Sequence, residues 1–187
     1  MIEVEVKARR GPEVADKILA MGAVLKGTEH HHDIYFNSPN RDFRKTDEAL
    51  RIRIKEEGAR LTYKGPKLDS RTKSRLELTV ELDNPMAMEK ILAELGFRPS
   101  GEVRKRRTKY TLGEVTFALD YVDGLGSFLE IEALAEDDWA DKQEMVLEIL
   151  KRLGQGESIR KSYLELLEEQ QKDFSKVSSP SKSTPER

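Results

Sequence analysis

The sequence contains no cysteine, so disulfide bonds, thiolate nucleophiles and thiolate metal sites are all excluded. Aromatic residues are few, at 6% of the chain, and no apolar run is long enough to cross a membrane. Acidic and basic residues nearly cancel to a formal net charge of −2, so no overall field attracts nucleic acid or an anionic membrane. The lack of cysteine and of an apolar N-terminal segment predicts a cytoplasmic protein without a signal peptide.

Charged residues are abundant instead, at 36% of the chain against about a quarter in typical domains. The length of 187 residues predicts one domain, which we assign to residues 1–170. The following residues 171–187 include "SKVSSPSKSTPER", a stretch of Ser, Pro and Lys with almost nothing apolar. This composition predicts a disordered polar tail.

Alternation of apolar and charged residues dominates the predicted strands. The opening "IEVEVK" has this pattern, and it recurs in "ALRIRIK", "RLELTVEL", "VTFALDYV" and "FLEIEALA". Helical patterns occupy "PEVADKILAMGA", "NPMAMEKILAELGF", "DDWADKQEMVLEILKRLG" and the stretch that begins "SYLELLEEQQ". About eight mostly antiparallel strands with helices between them predict an α+β fold around a closed or nearly closed β-barrel.

The charged strand faces point into the barrel if the helices pack outside on the apolar faces. Glu, Arg and Lys fill these positions, with hardly any Ser, Gln or Asn. A lumen with so much charge must be wet, internally paired and built to hold a charged ligand. Basic side chains bind a polyanion, and carboxylates bind Mg²⁺ or Mn²⁺, so a metal–polyphosphate complex fits both. The pattern alone leaves open that these faces are the solvated side of a sheet.

Six charged motifs in order resemble the CYTH superfamily, the triphosphate tunnel metalloenzymes. They are "EVEVK", "LRIR", "LTYKGP", "RLE", "KRRTKY" and "EIE", and the resemblance covers residues 1 to about 168. It implies an eight-stranded antiparallel closed β-barrel that forms a triphosphate tunnel. Within the superfamily, "HHDIYFNSPNRDFRKTDEALRIR", "DGLGSFLEIE" and "SYLELL" look most like the class IV adenylyl cyclase-like branch.

The resemblance also implies roles for individual residues. The expected metal ligands are Glu3, Glu5, Glu130 and Glu132. The expected triphosphate-binding residues are Lys7, Arg51, Arg53, Lys64, Arg75, Lys105 and Arg107. Glu77 and Asp120 match acidic tunnel positions that orient basic side chains or bind a second metal. Tyr35 and Lys64 match a pair associated with water attack in related hydrolases, which makes them the candidate catalytic residues.

The implied activity is conversion of ATP to cyclic AMP and pyrophosphate with Mg²⁺ or Mn²⁺ as cofactor. The alternative is hydrolysis of an inorganic or organic triphosphate. Thiamine triphosphate is disfavoured, because Ala49 stands where thiamine triphosphatases have a Trp that contacts thiamine. Thr79 stands where many relatives have another Glu, which weakens the case for a second metal on that strand. Class IV relatives also imply a homodimer.

Three other features have alternative interpretations. The run "VRKRRTKY" is the best candidate for nucleic-acid binding, and it suggests a non-enzymatic alternative, an RNA- or polyphosphate-binding module. The Glu pairs would repel a phosphate backbone unless metal intervenes, so nucleic acid is not expected. His30, His31 and His32 lie next to one another, so their side chains alternate between strand faces, and we interpret them as the polar start of a strand. "DGLG" predicts a hairpin turn, and Trp139 begins a helix outside the barrel.

Overall fold

The computed structural model describes residues 2–68, 74–136 and 139–177. In this part of the chain, eight antiparallel strands close into a barrel in the order β1-β5-β4-β3-β2-β6-β7-β8. The strands are β1 (Ile2–Arg9), β2 (Val24–Asn37), β3 (Ala49–Lys55), β4 (Gly58–Lys64), β5 (Arg75–Leu82), β6 (Arg98–Leu112), β7 (Val115–Val122) and β8 (Gly126–Ala135). The helices are α1 (Val14–Ala20), α2 (Pro85–Glu94), α3 (Trp139–Arg152) and α4 (Tyr163–Val177). The predicted fold is confirmed.

The apolar strand faces point outward under the helices, as the alternation predicts. Val4 and Val6 of β1 are fully buried beneath α1 and α3, in a cluster that includes Val146. Leu92 of α2 covers a second cluster around Ile52 of β3. The charged residues between these positions must therefore point into the barrel, because successive side chains of a strand alternate between its faces.

Strand β5 departs from this arrangement. Leu76, Leu78 and Val80 are 41%, 57% and 57% exposed, although the sequence predicts them beneath a helix. Helix α2 follows β5 directly, but it packs on the cluster formed by β2, β3 and β4. Among the described residues, the outer face of β5 is therefore an apolar surface without a covering helix.

The C-terminal boundary also differs from the prediction. Helix α4 continues to Val177, so the domain boundary predicted after residue 170 falls inside a helix. Residues 165–173, "ELLEEQQKD", are mostly strong helix formers, and composition alone does not distinguish a polar helix from a polar tail. The rest of the predicted tail, 178–187, lies outside the described residues. None of the described helices has the length and apolar character to cross a membrane.

Candidate active site

The inward strand faces enclose a cavity of about 320 Å³ inside the barrel. All of the predicted metal ligands line it: Glu3, Glu5, Glu130 and Glu132. All of the predicted triphosphate-binding residues line it as well: Lys7, Arg51, Arg53, Lys64, Arg75, Lys105 and Arg107. Glu77 and Tyr35 are also in the lining, whereas Asp120 lies behind it, 1% exposed. The closed barrel thus brings together residues that are far apart in the sequence.

Three of the four glutamates form a compact carboxylate group. Glu3, Glu5 and Glu132 each offer an oxygen atom, and these oxygens all lie within 4.8 Å of one another. The register of β1 and β8 produces this group, because it sets Glu5 directly opposite Glu132. The fourth, Glu130, contacts Arg107 and lies 3.8 Å from the Nζ atom of Lys7.

The carboxylate group has the charge and the donor set of a divalent-cation site. Burial raises the pKa of Glu132 to about 7, and the neighbouring charges of Glu3 and Glu130 add to this, against the opposite effect of Arg107. Crowded carboxylates resist ionisation unless a cation offsets their charge. Oxygen ligands at this spacing suit Mg²⁺ or Mn²⁺, so the residues present fit the implied metal.

Asp33 organises the arginines of β3. Its carboxylate accepts two hydrogen bonds from Arg53, at 2.7 and 2.8 Å, and lies 3.4 Å from Arg51. Burial alone would raise the pKa of Asp33, but the charges of Arg51 and Arg53 outweigh burial and hold the pKa far below its usual range. Sequence reasoning assigned no role to Asp33. The alternation along β2, which puts Asp33 on the same face as Tyr35, is the signal that could have identified it.

Asp120 of β7 pairs with basic side chains in the same way. It accepts two hydrogen bonds of 2.7 Å from Arg107, one of 2.8 Å from Lys105 and one of 2.9 Å from the Tyr163 hydroxyl. Burial raises the pKa of Asp120, but the charges of Arg107 and Lys105 outweigh burial and lower the pKa to about 2. This geometry fits the orienting role that was one of the two expectations for Asp120. Tyr163 was not predicted as a site residue, because it belongs to a helix outside the alternating strands.

Lys64 connects the carboxylate group to β5. Its Nζ atom lies 2.5 Å from Glu3 and 2.7 Å from Glu77. Burial lowers the pKa of Lys64, but the charges of Glu3 and Glu77 outweigh this and raise it, so the side chain is a cation. Tyr35, the other candidate catalytic residue, lies opposite Arg51 in the β2–β3 register. The hydroxyl groups of Thr79 and Thr62 form a hydrogen bond, with their Oγ1 atoms 3.1 Å apart.

Only the middle histidine of the "HHH" run points into the barrel. His31 is 4% exposed and its Nε2 atom lies 2.8 Å from Glu29, which also pairs with Lys55 at 2.7 Å. Burial and the charge of Arg53 lower the pKa of His31 to about 3, so its imidazole is neutral at pH 7. His30 and His32 lie on the outer face, near Glu56 and Glu102.

Comparisons with known proteins identify the family. The CYTH domain model matches residues 1–163. The Methanocaldococcus jannaschii protein named "Putative adenylate cyclase MJ0240" is 41% identical over 172 residues, covering 89% of this chain and 98% of that protein. The PH1819 protein of Pyrococcus horikoshii superposes with a TM-score of 0.83 at 43% identity, covering 90% of this chain and 99% of that one.

A more distant structure shares the fold alone. It is a Hippeastrum protein described as the "Putative adenylyl cyclase HpAC1" that reveals a dominant triphosphatase activity. Its TM-score is 0.66 at 21% identity, with 90% of this chain and 95% of that one covered. The family match spans most of the sequence and the related structures share the closed barrel. The chain therefore belongs to the CYTH domain family.

Proposed function

We propose that this chain is a divalent-metal-dependent enzyme that acts on triphosphates, with conversion of ATP to cyclic AMP and pyrophosphate as its reaction. The observation that carries this proposal is that one cavity holds both an acidic and a basic group of side chains. Oxygen atoms of three carboxylates lie within 4.8 Å of one another, and ten Arg and Lys residues of the described chain line the same cavity. A metal–triphosphate complex needs both groups at once.

The basic side chains would hold the phosphates in this reaction. Arg51, Arg53 and Arg107 present planar guanidinium groups that suit bidentate contact with phosphate oxygens. Glu3, Glu5 and Glu132 would hold the metal, and Glu130 lies close by. Charge neutralisation on the phosphate oxygens is the chemistry that bound Mg²⁺ or Mn²⁺ supplies. The ribose 3′-hydroxyl loses its proton to solvent as its oxygen bonds to the α-phosphorus, and the bond to pyrophosphate breaks.

Hydrolysis is the second candidate. Water would attack the terminal phosphorus, and the bond from that phosphorus to the bridging oxygen would break. Tyr35 and Lys64 line the cavity and would orient this water, while the protonated Lys64 offsets phosphate charge. The 41% identical relative named as an adenylate cyclase favours cyclisation, whereas HpAC1 has triphosphatase activity on the same fold. Ala49 lines the cavity without a ring for stacking on thiamine, so thiamine triphosphate remains disfavoured.

The test is incubation of the purified chain with ATP and, separately, with tripolyphosphate, each with Mg²⁺ or Mn²⁺ and with EDTA. Metal-dependent cyclic AMP and pyrophosphate support the cyclase, and orthophosphate supports the hydrolase. If neither substrate reacts under any of these conditions, the proposed enzyme activity is wrong. Glu5→Gln should abolish turnover, and Glu57→Gln in the exposed β3–β4 turn is the matched control.

A non-enzymatic nucleic-acid-binding function has less support. The basic run that favoured it is divided between the two faces of β6: Lys105 and Arg107 line the cavity, while Arg104 and Arg106 lie outside. Arg104 lies 3.5 Å from Glu102, which reduces the positive charge of the outer face. Salt-sensitive RNA binding without metal, in a chain inactive on triphosphates, would favour this function instead.

We also propose a cytoplasmic location and a homodimer. A cytoplasmic location follows from the lack of cysteine and from an intracellular triphosphate substrate. A homodimer would bury the exposed Leu76, Leu78 and Val80 of β5. Light scattering of the wild type and of Leu78→Asp tests this assembly. A dimer that becomes a monomer supports it, and an unchanged mass contradicts it.

A further inference from the structure

We propose that Tyr163 is a positioning residue, whose aromatic ring holds the ammonium groups of Lys7 and Lys105 in place for the triphosphate. The inference rests on the proposed function, in which these two lysines bind phosphate. Tyr163 begins α4, it lines the cavity, and it lies outside the charged strand motifs. It would make the C-terminal helix a part of the phosphate site.

Both ammonium groups lie near the Tyr163 ring. The Nζ atom of Lys7 is 4.0 Å from the ring centroid, and that of Lys105 is 4.9 Å away. Lys7 is fully buried and Lys105 is 5% exposed. The Phe128 ring packs edge-to-face with the Tyr163 ring, with centroids 4.9 Å apart and planes inclined by 64°. Two buried cations thus share one aromatic platform.

An aromatic ring stabilises a cation differently from a carboxylate. The negative face of the ring attracts the ammonium group, and this attraction strengthens where water is excluded. A carboxylate instead accepts the directed N–H bonds that a phosphate oxygen would need, and it repels the phosphate. The ring therefore lowers the cost of a buried ammonium group without competing with an incoming anion. Lys105 needs this support, because burial and the charge of Arg107 lower its pKa.

The Tyr163 hydroxyl connects the ring to the acidic anchor of the same wall. It donates a hydrogen bond of 2.9 Å to Asp120, which also holds Lys105 and Arg107. Burial and the charges of Glu130 and Asp120 raise the pKa of Tyr163 well above its usual value, so the hydroxyl stays protonated and donates. Tyr163 thereby contacts two lysines directly and an arginine through Asp120.

The first turn of α4 fixes the position of the ring. Ser162 and Glu165 form a capping box, in which the Ser162 hydroxyl accepts from the Glu165 amide at 3.2 Å and the Glu165 carboxylate accepts from the Ser162 amide at 2.6 Å. Leu164 packs against Gly101 so closely that a Cβ atom there would lie 2.4 Å from Leu164 Cδ1. The capping box thus fixes the start of α4, and the Leu164 contact packs the helix against β6 next to Tyr163.

The test compares two variants that separate the ring from the hydroxyl. Tyr163→Phe keeps the ring and removes the bond to Asp120, and Tyr163→Leu removes both. Tyr121→Leu, at a ring that is 51% exposed on the outer face of β7, is the matched control. Calorimetry measures binding of tripolyphosphate in metal-free buffer. NMR of isotope-labelled lysine reports the titration of the Lys105 ammonium group, and thermal unfolding checks the fold.

We expect Tyr163→Leu to weaken tripolyphosphate binding by about tenfold, Tyr163→Phe by about threefold or less, and the control not at all. In Tyr163→Leu, the pKa of Lys105 should fall further below its usual value. In Tyr163→Phe, which keeps the ring, the pKa of Lys105 should stay close to that of the wild type. The KM for the triphosphate should rise more than kcat falls, because the ring positions the lysines that bind the phosphates and does not contact a reacting atom.

Two results would overturn the inference. One is wild-type affinity in a folded Tyr163→Leu, and the other is a loss in Tyr163→Phe as large as in Tyr163→Leu, which would assign the effect to the hydroxyl. If Tyr163→Leu does not fold, Tyr163→Met provides the same comparison with an unbranched side chain. A wild-type chain that binds no tripolyphosphate either with or without Mg²⁺ would contradict the proposed function, while the titration of Lys105 would still test the contact with the ring.

Discussion

Two groups of buried carboxylates in the barrel have opposite surroundings. Asp33 and Asp120 are each held by two basic side chains, and their pKa values are lowered despite burial. Glu132 pairs with Arg107 at 3.1 Å, but burial and the charges of Glu3 and Glu130 outweigh this pairing and raise the pKa of Glu132 to about 7. Two basic neighbours thus outweigh burial at each aspartate, whereas one basic neighbour does not outweigh burial and like charges at Glu132. The aspartates are structural anchors for the basic residues, whereas the Glu3, Glu5 and Glu132 group has the charge and the donor atoms of a divalent-cation site.

The largest effect should follow removal of an anchor. Asp33→Ala leaves the charges of Arg51 and Arg53 in the barrel without the carboxylate that pairs with them. We expect the free energy of unfolding to fall by about 3 to 5 kcal/mol, the usual cost of breaking a buried ion pair on one side. Urea unfolding followed by circular dichroism measures it. An unchanged midpoint would show that Asp33 is not an anchor.

Removal of one carboxylate from the crowded group should have the opposite sign. In EDTA, Glu5→Gln should leave the free energy of unfolding unchanged or raise it by about 1 kcal/mol, because it relieves repulsion within the group. In Mn²⁺ the wild type should gain about 2.7 kcal/mol at a metal concentration of 100 times Kd, and the variant should gain little. Thermal unfolding with and without Mn²⁺ measures both, and equal metal stabilisation of the two chains would refute the assigned ligands.

The geometry of an anchor is tested by a substitution that keeps its charge. Arg53→Lys replaces two hydrogen bonds to Asp33, at 2.7 and 2.8 Å, by a single ammonium group. We expect a loss of about 1 to 2 kcal/mol in the free energy of unfolding, because a lysine cannot reproduce the planar double contact. The exposed Arg98→Lys on the same barrel is the control and should differ little from the wild type.

The smallest effect should appear in acid. The pKa of Asp120 is lowered to about 2 from an ordinary value of 3.8, so the folded state favours the ionised form. Its contribution to stability is therefore present above pH 3.8 and is lost as the pH falls towards about 2. The free energy of unfolding of Asp120→Asn should depend less steeply on pH across this window than that of the wild type. Identical slopes would contradict the lowered pKa.

Local pattern predicted the strands and their inward faces well, because alternation along a strand depends only on neighbouring residues. It predicted Glu3, Glu5 and Lys7 on one face, and that face lines the cavity. The partners of each charge depend on the cross-strand register, which no local pattern contains. The pairing of Arg107 with both Glu130 and Glu132, of which only Glu132 joins Glu3 and Glu5, is such a case.

Elements that lie against the barrel were harder to predict. The place of Tyr163 depends on how α4 packs, and the exposure of Leu78 depends on where α2 packs. In both cases the helix could pack on any of several similar apolar surfaces, and only the tertiary structure shows which one it covers. The family resemblance supplied the order of the motifs, but it did not supply these contacts.

The closure of the barrel has a consequence for its motions. Among the described residues, β1 and β5 pair only through Ile2 with Leu76 and Glu3 with Arg75, whereas β1 and β8 pair from Ile2 to Arg9. Short pairing opens at the lowest free-energy cost, so amide hydrogens at this seam should exchange with solvent before those between β1 and β8. Glu3 lies on the seam and also belongs to the carboxylate group. Opening of the seam would therefore loosen one candidate metal ligand while Glu5 and Glu132 stay in register.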